Sequence, residues 1–153
     1  MMELDDAAIE KLRQSGIRLD RDGRFWHEGV EVTHAGMRAA FFRWLDRNPD
    51  GRYVLRLDEQ RFVYLDVDDA PYAIRSLRWV EDRAIGLLSD GSDEELVLGS
   101  LRVRKSGEVY ATVKGRFEAR LSTAAWGVLQ TRVFERSGSW WIDVGGGIAL
   151  KRE

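Results

Sequence analysis

No cysteine occurs among the 153 residues. That absence removes disulfides, zinc ribbons, thiol nucleophiles and redox switching together. No apolar run approaches the ~20 residues that a membrane-spanning helix needs, so no span and no membrane partner are expected. The start, Met1-Met2-Glu3-Leu4-Asp5-Asp6, lacks the early positive charge and apolar stretch of a secretory signal, and cytoplasmic residence is the expectation. Histidine is scarce too. Neither His27 nor His34 has a second His at helical or strand spacing, which excludes zincin-type motifs. The Gly-x-Ser-x-Gly elbow, the P-loop and the Rossmann fingerprint are all missing. Gly145-Gly146-Gly147 reads as a turn, because too little chain follows for a phosphate-binding helix. No cofactor and no catalytic apparatus are expected.

What the chain does have is a core. Hydrophobic residues make up 44%, with six Trp, six Phe and four Tyr spread along the length, so disorder is excluded. Charge is uneven. Residues 1–100 carry 21 acidic and 14 basic side chains, whereas residues 101–153 carry 5 and 10. The positive half is a candidate anion-facing surface or the complement of the acidic half. Nucleic-acid binding needs a stronger positive balance and is not expected.

Residues 5–14 read as a helix capped by Asp5 or Asp6, with Leu4, Ala8 and Leu12 at helical spacing and Gly16 as its stop. Extended stretches follow at 17–20, 24–27 and 30–32, divided by Asp22-Gly23 and Glu28-Gly29. Thr33 then caps a helix to about Arg47, with Met37, Ala40, Phe41, Trp44 and Leu45 on one face. Strands are predicted at 53–57, 61–67, 72–80, 84–89, 95–98, 101–104 and 108–113, and such short spacing favours antiparallel pairing. Ser122 caps a last helix to about Val133, before strands at 139–144 and 148–151.

The end repeats the beginning: strand, capped helix, Gly-containing turn, aromatic strand, final strand. The expected fold class is therefore α+β, two repeated helix-plus-antiparallel-sheet motifs packed into one compact unit. Residues 1–16 form an N-terminal helix, 17–82 the first motif and 83–153 the second. The default binding site is the groove between motifs.

Several residues stand out as polar or aromatic groups near turns. His27 and Glu28 form a titratable pair after Trp26. Asp66, Asp68 and Asp69 make the densest acidic stretch, followed by Pro71 and Tyr72. Arg102, Arg104, Lys105, Lys114, Arg116 and Arg120 form a basic strip, to be occupied by phosphate, by carboxylate or by acidic residues of the first half. Trp140 and Trp141 are adjacent on a strand and must point to opposite faces, so one of them belongs to an interface or pocket.

Asp22-Gly23-Arg24-Phe25-Trp26-His27-Glu28-Gly29, Asp50-Gly51-Arg52-Tyr53 and Val67-Asp68-Asp69-Ala70-Pro71-Tyr72 resemble the domain of unknown function 1285 family. So do Tyr110-Ala111-Thr112-Val113-Lys114-Gly115-Arg116-Phe117-Glu118-Ala119-Arg120-Leu121 and the closing Ser139-Trp140 with residues 145–150. The resemblance spans about 16–150 and implies a bacterial protein with repeated α/β motifs and a role in signalling or ligand sensing.

The leading expectation is a non-enzymatic binding or regulatory module for a small molecule or protein. Trp26, His27, Glu28, Asp68, Asp69, Tyr72, Glu118, Arg120, Trp140 and Trp141 are its candidate ligand-binding residues. The alternatives are a metal-assisted hydrolase-like enzyme using Asp66, Asp68 and His27, and a structural homodimer. Monomer and homodimer both stay open.

Overall fold

The computed structural model describes residues 5–153. Leu4 and its place on the first helical face lie outside the described residues. The chain divides into two compact units, the first ending at Asp69 and the second running from Ala70 to Glu153.

In the first unit, helix α1 (Asp6–Leu12) is capped by Asp5, whose carboxylate accepts the Ala8 amide at 2.8 Å. Gly16 is not its stop. The helix ends earlier, and Gly16 sits inside strand β1 (Gln14–Leu19) at φ +69°. The pairing register slips between Gln14 and Arg18, a bulge that needs glycine's freedom. Strands β2 (Phe25–His27) and β3 (Val30–Glu31) form a hairpin over Glu28 and Gly29, both at positive φ, which matches strand twist.

Helix α2 (Ala35–Trp44) starts one residue later than Thr33 would have it. His34 is the cap, its Nδ1 accepting the Met37 amide at 3.2 Å. Its buried residues are Phe41 and Phe42, both edge-on to Phe25 at 5.2 and 4.9 Å. Met37, expected inside, is 48% exposed, because the helix meets its sheet chiefly through its C-terminal turn. Leu45 leaves the helix in extended geometry, so the predicted last turn is strand β4 (Leu45–Arg47). Strands β5 (Tyr53–Arg56) and β6 (Phe62–Val67) complete a sheet of order β3-β2-β1-β6-β5-β4. All neighbours are antiparallel except β1 and β6.

The second unit opens with β7 (Tyr72–Val80), β8 (Arg83–Leu88) and β9 (Asp93–Glu95), then a 3-10 turn at Leu98–Ser100. Strands β10 (Arg102–Val103), β11 (Val109–Val113) and β12 (Phe117–Leu121) lead to helix α3 (Thr123–Leu129). Ser122 caps it as expected, accepting the Ala125 amide at 3.0 Å while donating to the Arg75 carbonyl. A 3-10 turn at Gln130–Arg132 closes the helix short of Val133. That residue instead begins β13 (Val133–Arg136), which is followed by β14 (Ser139–Ile142) and β15 (Ile148–Arg152). The sheet order is β13-β14-β15-β10-β11-β12-β7-β8-β9.

Both sheets are mixed, which corrects the antiparallel expectation. Parallel pairs join β1 to β6, β10 to β15 and β12 to β7. A parallel pair needs a long crossover. The segments between β1 and β6, and between β10 and β15, supply it with whole hairpins and a helix. Tyr110, Ile74, Leu88, Leu101, Leu129 and Ile142 form the fully buried centre of the second unit, and Leu19, Phe25 and Val54 that of the first. Each such side chain contributes about 1.5–3 kcal/mol relative to exposure.

Candidate functional site

Strand β14 reads Ser-Trp-Trp-Ile, and strand alternation decides what its two indoles can do. Trp140 pairs with Leu150 of β15, whereas Trp141 pairs with Phe134 and Ala149 and shares the other face with them. Trp140 lines a pocket of about 440 Å³ together with Val103 of β10, Trp126 of α3 and Arg152 of β15. Arg104 and Lys105, at the turn after β10, complete its basic side.

The cations there are not equivalent. Arg104 binds Glu118, lies 3.8 Å from Glu153 and covers the Tyr110 ring at 3.8 Å. Its charge is largely spent within the fold. Arg152 stacks on the Trp140 ring at 4.5 Å, and neither it nor Lys105 has an ion pair among the described residues. Two indoles with Lys105 and Arg152, beside the Glu153 carboxylate that also lines the pocket, can hold a small ring-bearing anion, its ring on the indoles and its acidic group on the two cations.

Of the residues singled out in the sequence, Trp140, Arg104 and Lys105 lie in this pocket, and Glu118 reaches it only through Arg104. Glu118 is the hub of the basic strip, taking Arg102 at 2.6 Å and Arg104 on its other oxygen. The strip is therefore partly neutralised, by Glu118 of its own half and, at Lys114, by Asp90 of the acidic half. Arg120, opposite Tyr110 and Ala73, and Tyr72, opposite Ala119, are not part of the pocket lining. Tyr72 is buried against Phe117, and burial first, then the nearby Asp90 carboxylate, pushes its phenol up to about 12. Burial also works against the Asp90 charge. Hydrogen bonds from Ser92 and Lys114 outweigh it and leave that carboxyl below its ordinary value. The Trp141 indole N–H is buried without a hydrogen-bond partner among the described residues.

The first-unit candidates are dispersed. The Trp26 indole donates to Asp20 at 2.9 Å, and the same carboxylate accepts the Asp22 and Arg24 amides. Burial raises the Asp20 pKa, but those three donors outweigh it and the carboxyl is held below its usual range. His27 and Glu28 are exposed at the hairpin and share a shallow pocket of about 450 Å³ with His34, Val30 and Met37. Asp68 is paired with Arg18 at 2.5 Å, Asp66 is exposed, and Asp69 is half-buried. Among the described residues, no group of three or more His, Asp or Glu side chains is placed to hold a metal ion.

Trp126 and Arg152 were not singled out for a site, and Lys105 only as part of the basic strip. Arg152 shares a face with Leu150 by period two, but linking that face to Trp140 required the β14–β15 register, which composition does not supply.

No family model matches the sequence, and no curated protein matches it. Two solved structures are similar in fold, both of domain of unknown function 1285 (DUF1285) family proteins. The one from Silicibacter pomeroyi DSS-3 superposes with a TM-score of 0.74 over 90% of this chain and 80% of that chain, at 18% identity. The one from Shewanella baltica OS155 gives 0.62 over 75% of this chain and 90% of that chain, also at 18%. The fold is thus similar to that of solved DUF1285 proteins. Among the described residues, no helix is long and apolar enough to cross a membrane.

Proposed function

We propose that this chain is a bacterial, DUF1285-type binding module without catalytic activity, built by duplication of one motif, and that its ligand is a small organic anion held in the second unit. The observation that carries the ligand reading is the pocket where Trp126 and Trp140 stand with Lys105 and Arg152, cations that have no ion pair among the described residues. A pocket of about 440 Å³ falls in the range of roughly 300–1,000 Å³ usual for small-molecule sites.

The duplication reading is supported by strand order. Three strands, a helix and three strands run from β1 to β6, with the first strand parallel to the last. The same sequence of elements and the same order run from β10 to β15. Helix starts at Ala35 and Thr123, and following strands at Leu45 and Val133, keep one spacing. Strands β7 to β9 lie outside this correspondence.

Equilibrium dialysis against 4-nitrophenyl phosphate, a ring-bearing anion, tests the ligand reading. The wild-type chain retains the probe, and a Lys105→Glu/Arg152→Glu variant of unchanged fold weakens retention at least roughly tenfold, about 1.4 kcal/mol. Equal retention by both proteins, or none by either, sinks the assignment.

A further inference from the structure

The elements of the first unit that correspond to β10, β14, β15 and α3 are β1, β5, β6 and α2. They too line a pocket, of about 290 Å³, but its chemistry is different. Phe41 and Trp44 of the helix face Leu55, Phe62 and Val63 of the sheet, and the exposed lining is almost wholly apolar. An alkyl chain laid in this open apolar cleft removes the facing apolar surfaces from water and gains dispersion contacts with them.

The rim adds one guanidinium, already paired with a carboxylate on one side. Leu57, 56% exposed, and Arg61 stand at the turn between β5 and β6. Arg61 engages Asp58 through Nε at 2.6 Å, and its side chain is 73% exposed. Its two terminal nitrogens have no partner among the described residues and form the edge that takes a carboxylate in parallel hydrogen bonds. The pocket has room for on the order of ten methylene-sized groups, at roughly the 30 Å³ a water-sized group occupies in a liquid.

From this combination we infer that the first unit binds a medium-chain carboxylic acid, its alkyl chain between α2 and the sheet and its carboxylate on Arg61. The site is separate from the second-unit pocket and opposite to it in lining. In the second unit three cations line the pocket beside two indoles; here the lining holds one, Arg61, among apolar side chains.

Calorimetric titration of the full chain with octanoate and with octan-1-ol tests the inference. One octanoate binds per chain. Arg61→Glu, at an exposed position, weakens octanoate at least roughly tenfold and leaves octanol within about twofold. Leu57→Asp, also exposed, weakens both. The Lys105→Glu/Arg152→Glu variant binds octanoate as the wild type does, so loss of the second-unit reading would not touch this one. No octanoate binding, or binding unmoved by both Arg61→Glu and Leu57→Asp, overturns it. Equal loss of octanoate and octanol in Arg61→Glu overturns the carboxylate contact.

Discussion

Glu118 holds Arg102 at 2.6 Å through one carboxylate oxygen and engages Arg104 with the other. All three side chains are about two-thirds or more buried. Removing the charge of Glu118 leaves two guanidiniums facing each other without their shared partner. Glu118→Gln is therefore expected to lose about 1–3 kcal/mol of stability, read by urea denaturation, where the Arg61–Asp58 pair on the surface is worth little. A loss below about 0.5 kcal/mol contradicts the hub role.

The cap of α2 offers a direct comparison of neighbouring residues. Since His34 Nδ1 accepts the Met37 amide, His34→Ala should cost about 0.5–2 kcal/mol, and Thr33→Ala close to nothing. The reverse order in thermal denaturation would restore Thr33 as the cap.

Gly16 stands at φ +69°, and a Cβ there would meet the Glu28 side chain at 3.2 Å. Gly16→Ala should cost about 1–3 kcal/mol from backbone strain, the larger part surviving in a Glu28→Ala background. If truncating Glu28 restored full stability, side-chain crowding and not the backbone would be the cause.

Asp20 contributes to the acid limb of the first unit. Its carboxyl is held below the ordinary value when folded, so the stability it contributes is present above the unfolded pKa, about 3.9, and is lost as pH falls through the folded value. The stability difference between wild type and Asp20→Asn should be constant above about pH 5 and shrink below about pH 4. A difference that grows on acidification would contradict the Trp26 and backbone hydrogen bonds as its source.

Most of the fold was legible because local chemistry decided it. Asp5 and Ser122 cap helices, Glu28-Gly29 turns a hairpin, and the strand at Tyr72–Val80 begins after Pro71. The errors share one cause, which is a tertiary override of local pattern. Leu45 and Val133 continue a helical apolar face, yet both are taken by an edge strand, and Gly16 serves a bulge in place of a helix stop. Parallel pairing between β1 and β6 or β10 and β15 joins segments far apart in sequence, which periodicity cannot reveal. The site was less legible still. Strand alternation correctly split Trp140 from Trp141, but Lys105, Trp126 and Arg152 come together only through that long-range register.

The most direct test of the central claim is indole fluorescence during titration with 4-nitrophenyl phosphate, whose ring quenches a tryptophan it stacks on. The account predicts saturable quenching in the wild-type chain, loss of most of it in Trp140→Phe, and a retained response in Trp26→Phe. Quenching that is unchanged in Trp140→Phe, or lost instead in Trp26→Phe, would place the anion elsewhere and contradict the account.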